Sequence, residues 1–460
     1  MFSWCWVYAS LFSALLLAQQ PVIPPQEPVT VVKPQEVRPL PGQLDNILVF
    51  NSNSPEVVQT EGILLSTFPG QGMATSAAHL NQALEGRFDV FAHHIAKAKS
   101  PEDLKTLYMG VVIHNPGSKT VRVNVLQAAS YLSQPDAPFI ALPSFMDNQL
   151  GTVFAGPGDR VTNDLLRGKR QRGWPAQIKI PAGESRMLFN DSIPVKTLDP
   201  PINGRSTLAR LRSNGPVYMA SLAMFARTDA RGAERAPTLA EWEQLLKDGS
   251  LAGPRDKAPT PPGQAGPLIY SRVAGVARGS VWRAQLADQS SDSRLTIPET
   301  GKAFSYVLSS VARGAFGTGQ VQSAPMVVRY PDTAYAAHGN YGIQYSLSLP
   351  LYNPTAKPQE VSVKLQTALK NDQRPGNLQF LEPAAKQVFF RGTVRTRYQD
   401  DQGRPQSRYV HLVQHRGEQS EALVTLRMAP RNIRLVQVDF IYPPDATPPQ
   451  VLTIQTGETP

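Results

Sequence analysis

The run Arg329–Gly342, RYPDTAYAAHGNYG, places Asp332, His338 and Asn340 among Tyr330, Tyr335 and Tyr341. A carboxylate and an imidazole held together can trade a proton with a substrate, and tyrosine rings with a few polar groups suit a glycan. The other reading of this run is a long connection whose aromatics pack on a sheet edge. A second candidate is LLRGKRQRGWP, the densest basic stretch, in which Arg167, Lys169, Arg170 and Arg172 lead into Trp174. Its charges would attract an acidic polymer and its indole would stack on a sugar or a base. The alternative is a solvated loop flanked by glycines.

Metal chemistry finds little support. His411 and His415 are four apart, but RYVHLVQ (Arg408–Gln414) alternates like a strand, which sets them about 13 Å apart. Leu412 stands where a zinc protease motif needs Glu. His93 and His94 point to opposite faces of a strand, and His79 and His114 are isolated. No nucleophile elbow, phosphate loop or dinucleotide fingerprint occurs, and the glycine turn Phe316–Gly319 lacks the lysine a phosphate loop needs. The only cysteine is Cys5, in the N-terminal apolar run. Once that run is removed, disulfides, thiolate metal sites and cysteine nucleophiles are excluded. No cofactor is expected. A glycosidase carboxylate pair has no short signature, so a glycan-active hydrolase stays as the alternative to a non-enzymatic protein.

The elements that carry these residues are strands. YMGVVIHNPGSKTVRVNVLQA (Tyr108–Ala128) returns as YSLSLPLYNPTAKPQEVSVKLQTA (Tyr345–Ala368). Each copy has an apolar run, Asn-Pro, a polar turn and period-2 alternation, a strand–turn–strand unit of a half-buried antiparallel sheet. Ile178–Ile193 and Val424–Pro443 echo each other as strand, Pro-containing turn and strand. The landmarks keep their order, which implies two diverged copies of one β-domain. Asn214-Gly215 predicts a hairpin within Leu208–Phe225, and Ser100-Pro101 predicts a short helix start. Ser133–Gly173 reads as a long polar excursion. Thr238–Glu241 is a capping box ahead of Trp242, Leu245 and Leu246, the clearest helix signal.

The expected organisation is therefore mainly all-β: two related β-sandwich-like halves, residues 44–235 and 266–460, joined by a short amphipathic helix and Pro-rich connector at 236–265. With 460 residues, 41% of them hydrophobic, each half can bury a core, and 42 prolines argue against a helical bundle. Phe2–Ala18 is uncharged and apolar, a signal peptide over residues 1–18; without a preceding Lys or Arg, an uncleaved anchor is the alternative. Residues 19–43 are Pro-rich and read as a linker, either a semi-rigid tether or a disordered leader.

HNPGSKTVRVNVLQAASYLSQPDAPF, NGRSTLARLRSNGPVYMASLAMFA, QSAPMVVRYPDTAYAAHGNYG and YPPDATPPQVLTIQT resemble a family of uncharacterised exported proteins from cyanobacteria, a domain of unknown function covering most of the chain. The resemblance implies one architecture and a cell-envelope, periplasmic or secreted setting. It implies no substrate or catalytic residue. Together with the net charge of +10, the expectation is an exported, non-enzymatic envelope protein whose partner is an anionic glycan, wall polymer or envelope protein, and not a nucleic acid.

Overall fold

The computed structural model describes residues 27–289, 291–372 and 376–457. The expected signal segment lies outside them. Strands dominate, and two α-helices of ten residues each occur among the described residues. Neither is long and apolar enough to cross a membrane.

The repeated unit is present twice, but as an arch and not a hairpin. Leu107–His114 and the strand after the first Asn-Pro, Val121–Leu132, do not pair with each other. They pair with Ser185–Ile193 and Gln177–Ile180, in two facing sheets. Gln344–Tyr352 and Gln359–Gln366 repeat this with Ile433–Ile441 and Val424–Met428. The fully buried asparagine makes the arch. Asn115 Nδ2 donates to the Lys119, Ile180 and Pro181 carbonyls, and its Oδ1 accepts from Gly117 N–H. Asn353 Nδ2 donates to the Lys357, Met428 and Ala429 carbonyls, and its Oδ1 accepts from Thr355 N–H. One amide thereby ties the first turn to the second, spanning two sheets. Val121, Val123 and Val125 face one apolar core; Val361, Val363 and Leu365 face the other. The architecture is all-β with two sandwich-like halves.

The halves interlock. Leu48–Ser52 pairs on one side with Leu84–Lys97 (β1) and on the other with Ala274–Arg278, from the second half. The expected Pro-rich linker is instead part of the fold from residue 29 onward. Val29–Pro34 lies antiparallel to Asn377–Glu382, Glu36–Arg38 runs beside Ala303–Leu308, and Leu40 is buried in the second core. Prolines are tolerated there because an edge strand leaves alternate N–H groups unused.

Three local expectations are corrected. Ser100-Pro101 opens a turn, not a helix. Asn214-Gly215 makes no hairpin: Ile202–Phe225 (β3, following β2 at Val121–Leu132) is one strand. It leaves the β1–β2 sheet at an irregularity between Ser213 and Val217 and enters the facing sheet. Asn214 spends its side-chain oxygen on Arg122 N–H, 2.7 Å away. The polar excursion contains a helix, Pro157–Leu166 (α1), with Pro157 at its first turn. Val161, Leu165 and Leu166 pack between the halves, against Phe91, Leu208 and Ile441.

The expected helix is Leu239–Asp248 (α2). Thr238 Oγ1 accepts from Glu241 N–H and Glu241 Oε2 accepts from Thr238 N–H, the reciprocal box. Trp242 is fully buried, and Gly110 lets it in: a Cβ there would stand 2.6 Å from the indole.

Candidate functional site

The basic run leaves the C-terminal end of α1. Arg167 stacks on Tyr409 at 3.9 Å and donates to the Asn148 and Gln149 carbonyls. Lys169 pairs with Asp164 at 3.0 Å, and Arg170 donates to the Val125 carbonyl. Trp174 packs against Phe189 in the first core, while Arg172 is exposed. Arg167 and Lys169 brace α1 and its exit loop, while Lys169, Arg170 and Arg172 are exposed.

The tyrosine-rich run is split. Tyr330 is fully buried; its hydroxyl donates to the Ala78 carbonyl and accepts from Ser66 N–H. Burial pushes that phenol well above its usual range. Both Asp332 oxygens accept from Arg255 at 2.8 Å, and Tyr335 lies exposed under Arg329. His338 is engaged elsewhere, with Nε2 2.6 Å from the Ser271 carbonyl and its ring 4.7 Å from Tyr270. Asp332 and His338 thus have separate partners and form no acid–base pair. His338 and Tyr341 do meet, in a crevice of about 300 Å³ between the halves.

The histidines pair mostly with hydroxyls: His79 with Ser66, His93 with Ser206, His94 with Ser52 and His114 with Ser185. Burial holds His94 down at about 4, so it is neutral near pH 7. His411 is fully buried and meets Asp159 of α1 at 2.6 Å. No group of three or more His, Cys, Asp or Glu suited to a metal ion occurs among the described residues.

The surface that gathers charge is the outer face of a second-half sheet. Its strands, in spatial order, are Pro405–His415 (β7), Val388–Gln399 (β6), Ile433–Ile441 (β8), Gln344–Tyr352 (β5) and Val281–Gln285 (β4). Strand alternation sends Val394, Val436, Val438, Tyr345, Leu347 and Trp282 into the core. Their neighbours face outward in register. Arg397 stands between Ser407 and Gln437, and Gln437 is followed across the sheet by Ser348 and Gln285. One step along, Arg395, Asp439, Ser346 and Arg283 form a second row.

Asp439 is the hub of these rows. Only 4% of its side chain is exposed, and it accepts from Arg395 and Arg397, each at 3.1 Å, and from Ser346 at 2.9 Å. Burial opposes the charge on Arg395, but the Tyr409 hydroxyl and Asp439 outweigh it and raise its pKa. Two guanidiniums share one carboxylate, and Arg283 is exposed beside them, so the face is net positive. Two adjoining grooves cross it, of about 610 and 290 Å³, with Arg397 and Gln437 lining both. Five strands at about 4.8 Å spacing give the combined track a width of about 19 Å. Exposed Ile433 and Leu435 border the larger groove.

Sequence reasoning missed Arg283, Arg395, Arg397, Gln437 and Asp439. The signal was period 2: VRTR (Val394–Arg397) alternates valine or threonine with arginine, and SLS (Ser346–Ser348) alternates serine with leucine. Such alternation marks a strand whose outward side is built from polar groups.

No curated protein matches the chain. Among solved structures, the crystal structure of coconut allergen cocosin is 7% identical over 86% of this chain and 85% of that one, with a TM-score of 0.09, too low to carry an argument about fold. The match that identifies the chain covers residues 35–456, from the strands once expected as a linker to the last strand. The protein belongs to the DUF3370 family, proteins of unknown function.

Proposed function

We infer that this is an exported, non-enzymatic binding protein of the cell envelope whose β4–β8 face holds an acidic polymer, such as an anionic glycan or wall polymer. The observation that carries the reading is Arg397, fixed beside Arg395 on one carboxylate at 3.1 Å and presented with Arg283 in an open groove. Arginine presents a planar fork that matches carboxylate and phosphate oxygens. Anchoring by Asp439 lowers the entropy lost when a ligand is gripped. The serine and glutamine rows offer hydrogen bonds to hydroxyls at the strand spacing, and the net charge of +10 favours encounter with a polyanion. The uncharged run Phe2–Ala18 supports export.

Co-sedimentation with polygalacturonate, using dextran as the neutral control, tests the reading. Retention on polygalacturonate alone, lost in Arg283→Gln/Arg397→Gln, supports it. Equal retention on both polymers, or retention unaffected by the double substitution, removes it. Export is tested separately by fractionation: recovery of the native chain from the cytoplasm contradicts that part.

A further inference from the structure

The first half has an outer sheet face of its own. Gln177–Ile180, β2, β3 and β1 lie side by side in that order, and Ile178, Val123, Leu211 and Phe88 point into the first core. Their chain neighbours point outward in register. Lys179 stands across from Arg122, and Gln177, Asn124, Arg212 and Arg87 form the next row. Gln127, Arg210 and Asp89 form a third.

Charge on these rows is one-sided. Lys179, Arg122 and Arg212 are exposed, and their side chains make no ion pair or hydrogen bond among the described residues. The one carboxylate of the three rows is Asp89, 2% exposed and already met by Arg87 and, at 3.8 Å, by Arg210. Four arginines and a lysine thus stand against a single enclosed carboxylate. Exposed Arg170 extends the edge of the same sheet, beside Ala128. Gln177 and Asn124, hydrogen-bonded to each other at 2.8 Å, lie between the charges, the same mixture of cation and amide that lines the β4–β8 face.

The two faces join at Arg210. Its Nη1 donates to Gln127 of β2 at 3.2 Å, and its Nη2 donates to Gln344 of β5 at 2.8 Å. Gln344 Nε2 donates to Ser346, and Ser346 donates to Asp439, both at 2.9 Å. A continuous line of hydrogen bonds therefore runs from β2 in the first half to the carboxylate that anchors Arg397. Burial, foremost, lowers the Arg210 pKa against Asp89 and Asp45, and Arg87 and Arg283 both add to the fall. Cations of both faces lie within its reach.

We propose that the two faces form one cationic track and that a single acidic polymer runs along it across both halves. The inference rests on the binding role read for β4–β8 and extends it to Lys179, Arg122, Arg212 and Arg87. Three strand spacings make the added face about 14 Å wide. Unpaired guanidiniums there are open to bidentate contact with carboxylate oxygens. Because the join holds the faces at a fixed separation, a polymer gripped by one is delivered to the other at high local concentration.

Calorimetric titration of the full chain with polygalacturonate at low salt decides it. The wild type is compared with Arg122→Gln/Arg212→Gln, Arg283→Gln/Arg397→Gln and the combined quadruple variant. Each double variant should bind about fivefold more weakly, since two exposed ion contacts are lost. The two losses should multiply in the quadruple variant, because separate polymers would leave the intact face its full affinity. Arg122→Lys/Arg212→Lys, which keeps the charge, should retain most of the binding. Thermal unfolding like that of the wild type shows that a variant is folded; if Arg122→Gln/Arg212→Gln is altered, Arg122→Gln/Lys179→Gln replaces it. Wild-type affinity in the first-half variant, with weakening in Arg283→Gln/Arg397→Gln, overturns the track and leaves the β4–β8 reading standing. Losses that do not multiply also overturn the track. No binding by the wild type, or weakening in the first-half variant alone, overturns both.

Discussion

Arg397 Nη2 and Asp439 Oδ2 meet at 3.1 Å from adjacent rows of neighbouring strands, and Arg395, directly across from Asp439, reaches the same oxygen. Asp439 is nearly enclosed while Arg397 is 43% exposed, so the carboxylate acts as an anchor and the guanidinium as the presented group. Stability and binding are thereby separable on one face.

Asp439→Asn should cost about 1–3 kcal/mol, because two guanidiniums lose their shared counter-charge. Polyanion binding by the folded fraction should be retained or strengthened, since the face becomes more positive. Urea denaturation read beside polygalacturonate titration checks both signs.

The two arch asparagines should behave alike. Each buried amide satisfies three carbonyls and one N–H, drawn from equivalent turns. Asn115→Ala and Asn353→Ala should each lose roughly 2–3 kcal/mol. Loss at one position alone would contradict the structural equivalence of the repeats.

The buried pair of His411 and Asp159 joins β7 to α1 at 2.6 Å. Removing one partner leaves the other alone in the interior, so Asp159→Ala should cost about 3–5 kcal/mol. Hydrogen exchange should quicken first across residues 157–166, which that pair and the Val161–Leu166 packing hold in place. Unchanged protection there would show that the pair does not anchor the helix.

Stability should fall on both sides of a mildly acidic optimum. Burial, foremost, raises Asp445 to about 6 in the fold. The folded form therefore favours the neutral acid: this contribution is full below the unfolded value near 4 and is lost as pH rises through about 6. Glu56 is shifted the other way, to about 2, chiefly by the His93 ring 3.7 Å away, with Arg272, and despite burial. Its contribution is present above the unfolded value and is lost as pH falls through about 2. Asp445→Asn should flatten the alkaline limb and gain up to about 2–3 kcal/mol at pH 8. An unchanged pH profile in that variant would assign the limb to other groups.

Much of the fold was legible because it rests on local chemistry. Asn-Pro followed by alternating valines announced both strand–turn–strand units, and the Thr238–Glu241 box announced α2. α1 was hidden because its polar side chains are paired inside the protein: Asp159 meets His411, Asn163 receives Arg167, and Asp164 takes the Tyr131 hydroxyl and Lys169. Its apolar stripe is only Val161, Leu165 and Leu166, set among polar residues that are buried as well. The partners of the basic run were hidden for the same reason, since Arg167, Lys169 and Arg170 find them only once α1 and the strands come together. Arg395, Arg397 and Asp439 meet through a register between β6 and β8, residues far apart in the chain. Period 2 gave the facing, and only the sheet order gave the neighbours.

The role proposed for the Arg283–Arg397 face is to grip an acidic polymer. Calorimetric titration of the full chain with polygalacturonate across a series of salt concentrations tests it most directly. Affinity should fall steadily as salt rises, because the contacts are exposed charges. Arg283→Gln/Arg397→Gln should bind more weakly and show a shallower salt dependence. Wild-type affinity indifferent to salt, or a double variant with the same affinity and slope as the wild type, would contradict it.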